Sequence, residues 1–212
     1  MLTRRNLLQA AAMAAATMLA GCSEAQDGGL DGNASANGQT APVEDTSAED
    51  APTASGSVLV AYFSATGNTE EIARALAERL GADVFAIEVA QPYTDADLDY
   101  NDPSSRTSAE RADARPELAQ VMPDGWASYQ TVLLGYPIWW GEAAWPLRTF
   151  AEGNDFAGKT VVPFCTSASS GIGRSGEGLA ELAGGGDWLD GERFSAGATD
   201  DAAAWADGLG LA

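Results

Sequence analysis

The stretch Val58-Leu59-Val60-Ala61-Tyr62-Phe63-Ser64-Ala65-Thr66-Gly67-Asn68-Thr69 decides how this chain folds. It opens on an unbroken apolar run of strand length, Val58 to Phe63. Behind it Ile72, Ala75, Leu76 and Leu80 recur at helical spacing after Glu70 and Glu71. A strand, a short turn and a helix in that order make a phosphate cradle. The amides at a helix start lack partners within the helix, and the dipole there favours an anion. Ser64, Thr66, Asn68 and Thr69 add side-chain donors, and Gly67 lets the backbone come close. The turn holds no Lys or Arg, so it is not a nucleotide P-loop. Neutral donors alone suit a terminal monoester better than a triphosphate chain.

Outward from this stretch, strand and helix patterns alternate. A strand over 57–63 and a helix over 69–80 precede a strand over 83–89. A polar segment, 92–116, contains Tyr93 and Tyr100, with a helix near 104–114. A strand at 131–136, a helix at 142–152 and a strand at 159–164 follow. A Ser/Gly-rich loop at 166–173 leads into a helix at 174–183, a weak strand at 192–197 and a helix at 200–209. Continuous apolar strands alternating with helices imply a parallel sheet covered on both faces. Such sheets bind ligands beyond the carboxyl ends of their strands.

Two further loops leave that same edge. Pro137-Ile138-Trp139-Trp140-Gly141 carries adjacent tryptophans at a strand exit. Either one indole is exposed as a platform for a flat ring, or both pack against the following helix. Gly141 permits a backbone conformation closed to other residues. The loop Thr166-Ser167-Ala168-Ser169-Ser170-Gly171-Ile172-Gly173 has small residues and hydroxyls that let amides approach the polar edge of a ring. Gly171 to Gly176 formally matches G-x-G-x-x-G, but that fingerprint belongs directly after the first strand and is discounted here.

Composition narrows the chemistry. The chain has 31 acids against 11 bases, a net charge of −20, which disfavours nucleic acid as a partner. The acidic surface is either plain solvation or a docking face for a basic redox partner. There is no histidine, which removes His-based triads and His-ligated metals, so no catalytic side chain and no metal site are expected. Cys165 ends an apolar strand and reads as a buried small hydrophobe. Demanding chemistry would have to come from a bound cofactor.

The front of the chain reads as an address. Residues 1–22 have Arg4-Arg5, an apolar stretch from Leu7 to Ala20, and the ending Leu19-Ala20-Gly21-Cys22. That ending resembles the lipobox of bacterial lipoproteins, in which the cysteine, here Cys22, is lipidated. Thr3-Arg4-Arg5-Asn6-Leu7-Leu8 is also similar to a twin-arginine export signal, a route that carries folded proteins. Residues 23–56 lack Ile, Phe, Tyr and Trp and read as a disordered acidic tether. Residues 57–212 are the right size for one domain.

With phosphate loop, aromatic loop and small-residue loop in this order, 57–212 resembles the flavodoxin family. It looks closest to the branch whose third strand ends in Gly-Tyr-Pro-Ile-Trp-Trp-Gly, here Gly135 to Gly141. The resemblance implies an α/β three-layer sandwich with a five-stranded parallel sheet, order 2-1-3-4-5, binding FMN. It places the 5′-phosphate at Ser64, Thr66, Gly67, Asn68 and Thr69. The flavin ring would be flanked by Pro137, Ile138, Trp139, Trp140 and Gly141, with its polar edge on Thr166, Ser167, Ser170, Gly171 and Gly173. Ala65 departs from the family's phosphate loop, and 92–116 is not part of the minimal pattern.

The leading expectation is an FMN electron carrier held outside the cytoplasm, at the outer face of the cytoplasmic membrane, by a lipid anchor only. Its partner would be a redox protein or a small-molecule electron donor or acceptor. An FMN-dependent NAD(P)H or quinone oxidoreductase is the second reading, with Arg106, Arg111 and Arg115 as binders of phosphate or carboxylate. A non-redox binding module on the same fold is the third.

Overall fold

A computed structural model describes residues 57–211. Cys22, the lipobox, the export signal and the 23–56 tether lie outside the described residues.

The sheet is built from β1 (Val58–Tyr62), β2 (Asp83–Ala86), β3 (Thr131–Trp139), β5 (Thr160–Thr166), β6 (Asp187–Trp188) and β7 (Glu192–Phe194). These run parallel in the order β2-β1-β3-β5, with β6 and β7 both paired to β5. The last two are pieces of one edge strand, so the expected order 2-1-3-4-5 holds. The break has a cause in β5. Val161 accepts from Leu189 N–H at 2.9 Å, so alternate β5 residues face the edge strand, and Pro163 is the next of them. Proline has no N–H to offer, and the ladder lapses opposite it. Gly191 sits in the gap, where a Cβ would fall 2.3 Å from the Pro163 carbonyl oxygen.

Side chains alternate across the sheet as the strand period requires. Val60, Tyr62, Leu133, Val162 and Phe164 face α1 (Asn68–Leu80) and α5 (Thr199–Gly208), meeting Ile72, Leu76, Ala202 and Ala206. Leu59, Ala61, Val132, Leu134 and Cys165 face the other layer, α3 (Pro146–Gly153) and α4 (Ser175–Ala183), meeting Leu147, Phe150 and Leu179. Cys165 is buried, and desolvation pushes its thiol up to about 12, so it packs as a hydrophobe. The helix α1 is stopped by Gly81, left-handed at φ 61°, whose N–H bonds the Ala77 carbonyl.

Two local departures matter for the site. The strand expected at 83–89 ends at Ala86. Residues 88–90 instead pair with 117–119: Ala119 N–H bonds the Glu88 carbonyl at 2.8 Å and Ala90 N–H bonds that of Glu117 at 2.8 Å. The polar segment is therefore an excursion closed at its base, carrying only a short α2 (Arg106–Glu110). The third strand runs on to Trp139 and turns into β4 (Glu142–Ala143), which pairs with it antiparallel. The helix expected from residue 142 begins at Pro146.

Candidate functional site

The first helix starts bare. Its first internal bond runs from Glu71 N–H to the Gly67 carbonyl at 3.0 Å, and no side chain caps it. The amides of Asn68, Thr69 and Glu70 are left without helical partners. Gly67 is left-handed at φ 90°, and its N–H bonds Ser64 Oγ at 3.0 Å, which folds the turn tightly. Asn68 Nδ2 donates to Thr66 Oγ1 at 3.3 Å. Thr69, 1% exposed, meets Thr166 at the end of β5, the two hydroxyl oxygens lying 2.7 Å apart. This buried bond locks the first loop to the third. One hydroxyl must donate, which leaves the other a hydrogen to give elsewhere.

Both tryptophans are half-buried. Trp139 meets Phe63, Tyr93 and Trp145 edge-to-face, at 5.7, 5.3 and 5.7 Å between centroids. Trp140 stacks on Trp145 at 5.8 Å and 17°. Packing against Trp145 thus holds both rings, yet each keeps a side on the cavity. Trp140 and Gly141 form the two-residue β3–β4 connection, with φ of 50° and 85°. Positive φ at both positions is the hairpin turn that usually carries Asn-Gly. A tryptophan there costs on the order of 1–3 kcal/mol, strain of a kind that collects at functional sites.

The two loops and the end of β5 line a single cavity of about 730 Å³. Ser64, Thr66, Asn68, Thr69, Pro137, Ile138, Trp139, Trp140, Thr166 and Ser167 all stand on its wall. The remaining sequence-derived residues do not line it. Gly67 shapes the turn from behind, and Gly141 closes the hairpin. The loop holding Ser170, Gly171 and Gly173 turns away, because the Ser170 carbonyl takes the Ser167 hydroxyl and Ile172 packs into the core. Ser175 Oγ, donating to the Ile172 carbonyl at 2.6 Å, fixes that course.

Several lining residues escaped the sequence reading. Ala65 and Ala168 belong to loops already singled out, and Ser195 and Ala196 follow β7 at the same sheet edge. Arg193 is the clamp behind them. It donates from Nε to Ser167 Oγ at 3.1 Å and from its terminal nitrogen to the Ser167 carbonyl at 2.5 Å. Leu98, Tyr100 and Thr107 come from the excursion and wall the cavity from outside the strand exits. The excursion is braced by polar bonds. Tyr93 donates to Glu110 at 2.6 Å, Arg106 Nε to the same carboxylate at 2.7 Å, and Trp145 Nε1 to the Thr107 carbonyl at 2.9 Å. Burial, then the Glu110 bond, holds the Tyr93 phenol well above its ordinary pKa, so it stays a donor.

Of the three arginines expected to bind anions, two are committed. Arg106 is taken by Glu110, and Arg115 by Glu152 and Asp113, each at 2.7 Å. Arg111 alone has no carboxylate within 4 Å among the described residues, and its guanidinium lies 5.7 Å from the Trp140 ring.

Comparison with known proteins agrees with this architecture. The flavodoxin family model matches residues 57–209. A structure from Bacteroides eggerthii described as a flavoprotein is 41% identical, covers 72% of this chain and 97% of its own, and has a TM-score of 0.66. One from Bacteroides uniformis, described alike, is 40% identical over 72% of this chain and 98% of its own, with a TM-score of 0.68. A Lactobacillus acidophilus flavoprotein solved in complex with FMN is 22% identical over 65% of this chain and 93% of its own, at a TM-score of 0.53. No protein of curated function matches the chain. The family model spans nearly all of the described domain: this chain belongs to the flavodoxin family.

Proposed function

We propose that this chain binds FMN and transfers electrons at the extracytoplasmic face of the membrane. One observation carries the reading: a cation-free helix start and two indoles line one cavity. The volume, about 730 Å³, lies within the range of ligand sites, and its wall combines hydroxyl and amide donors with aromatic rings. Ser64, Thr66, Asn68 and Thr69, with the free amides of α1, would hold the phosphate. Pro137, Ile138, Trp139 and Trp140 would flank the ring, and Thr166 and Ser167 would meet its polar edge. Bound FMN supplies one- and two-electron transfer, which no side chain here provides. The protein's part is to orient the group, to exclude water with Trp139 and Trp140, and to surround it with negative charge.

Riboflavin, which lacks the phosphate, separates this site from a generic aromatic pocket. FMN is expected to bind at least about 100-fold tighter, the worth of two charge-assisted hydrogen bonds. Calorimetric titration of the flavin-free protein with both ligands measures the ratio, and equal affinities would remove the phosphate cradle.

Anchoring rests on the sequence motif ending at Cys22. Wild type is expected in the membrane fraction and Cys22→Ala in the soluble one. An unlipidated wild-type chain, by intact mass, would overturn the anchor and leave the FMN reading untouched. A second reading, an FMN-dependent oxidoreductase acting on a small molecule, is favoured by one observation. Leu98, Tyr100 and Thr107 enclose a ring edge that a protein-docking carrier would leave open.

A further inference from the structure

Thr69 and Thr166 are 97 positions apart in the chain, yet their hydroxyl oxygens lie 2.7 Å from each other. Both residues are buried, 1% and 4% exposed, and both stand on the cavity wall. Each hydroxyl has one hydrogen to donate and lone pairs to accept with. One bond between them uses one hydrogen of the two. Neither hydroxyl bonds any other group among the described residues, so the second hydrogen has no acceptor there. A buried donor left unmet costs free energy, and this one is held where a ligand in the cavity can meet it.

The bond can run either way, and its direction decides what the ligand meets. If Thr69 donates to Thr166, the spare hydrogen stays on Thr166, at the end of β5. If Thr166 donates to Thr69, the spare hydrogen stays on Thr69, the second residue of α1. The helix start selects the second arrangement. Its unpaired amides and dipole favour an anion, and phosphate oxygens accept. A group facing those oxygens must donate, so Thr69 turns its hydrogen to the ligand. The Thr69 oxygen then accepts from Thr166, and the two bonds in series strengthen each other.

We propose that Thr166 is a positioning residue for the ligand's phosphate, acting through Thr69 from a different element of the fold. Its hydrogen is committed to Thr69, which fixes the Thr69 hydroxyl as a donor to the phosphate. Selection for the phosphorylated ligand therefore depends on a residue outside the phosphate loop. The proposal rests on the FMN reading, which puts the phosphate at the start of α1.

The test titrates the flavin-free full-length protein by calorimetry with FMN and with riboflavin, and reads the ratio of the two affinities. Thr69→Val is expected to lower that ratio about tenfold or more, the loss of one bond to a charged acceptor. Thr166→Val is expected to lower it about fivefold, the size of a coupling between neighbouring groups. Thr166→Ser keeps the hydroxyl and is expected to restore the wild-type ratio. In the Thr69→Val background, Thr166→Val is expected to lower the ratio no further. Riboflavin binding by each variant reports that the cavity is formed, and Thr166→Ala repeats the reading where valine disturbs the fold. A wild-type ratio in a folded variant lacking the Thr166 hydroxyl would overturn the proposal, since the spare hydrogen would then serve both flavins alike. A full further loss in the Thr69→Val background would overturn it too, because Thr166 would be acting on its own. Equal binding of both flavins by wild type would instead overturn the phosphate reading itself, a separate result seen before any variant is made.

Discussion

Asn68→Asp is expected to weaken FMN binding roughly 100-fold or more while leaving the fold slightly more stable. Asn68 is the first residue of α1, is exposed, and lines the cavity beside Thr66. The substitution keeps the size of the side chain and exchanges a donor for a carboxylate. Facing a phosphate that carries nearly two charges, with no cation in the loop to offset it, the repulsion amounts to about 3 kcal/mol after solvent screening, roughly 100-fold or more in affinity. The helix responds the other way. A negative charge in the first turn faces the positive end of the dipole and adds on the order of 0.5 kcal/mol. Titration with FMN and a thermal melt of the flavin-free protein read the two effects separately. Unchanged FMN affinity in a folded variant would place the phosphate elsewhere.

Trp145→Ala is expected to give the largest loss of stability among the site residues. Trp145 is fully buried at the head of α3 and backs both cavity tryptophans. It carries the Arg148 guanidinium on its ring and bonds the Thr107 carbonyl. Truncation leaves a cavity of indole size and an unpaired carbonyl, together about 4 kcal/mol. For a domain of this length that lowers the melting temperature by roughly 10–15 °C. Trp145→Phe keeps most of the packing and loses the N–H, so it should cost about 1–2 kcal/mol. FMN affinity should fall with Trp145→Ala, since Trp139 and Trp140 lose the ring behind them. A melt within about 3 °C of wild type would contradict this placement of Trp145.

The parts of the fold that were legible in sequence are those set by local pattern. The apolar run 58–63, the turn and the amphipathic helix behind it specify each other within a few residues, and the structure places them where the pattern does. The two corrections to the strands are tertiary. Glu88 and Val89 read as strand continuation, but whereas Ile87 N–H still bonds the Tyr62 carbonyl at 2.7 Å, residues 88–90 pair with residues near 118, about thirty positions on. Pro137 read as the end of a strand, yet β3 runs through it, paired with Thr166, because the hairpin partner Glu142-Ala143 takes over the other side. The break in the edge strand had a visible cause in Pro163.

The site divides in the same way. Donors at a helix start and aromatic residues at a strand exit are properties of single loops. What a single loop does not reveal is which way it leans. The family resemblance grouped Ser170, Gly171 and Gly173 with Thr166 and Ser167, whereas here Ser167 holds the loop back through Ser170 and Arg193 holds Ser167. The commitment of Arg106 was readable, as Glu110 lies four residues on along a helix. That of Arg115 was not, because Glu152 comes from another helix entirely.

The most direct measurement of the central claim is native mass spectrometry of the full-length protein purified from its own cells, with the released small molecule identified by fragmentation. The expected result is one FMN per chain. A chain free of flavin that also fails to take up added FMN, or one carrying a different ligand in its place, would contradict it.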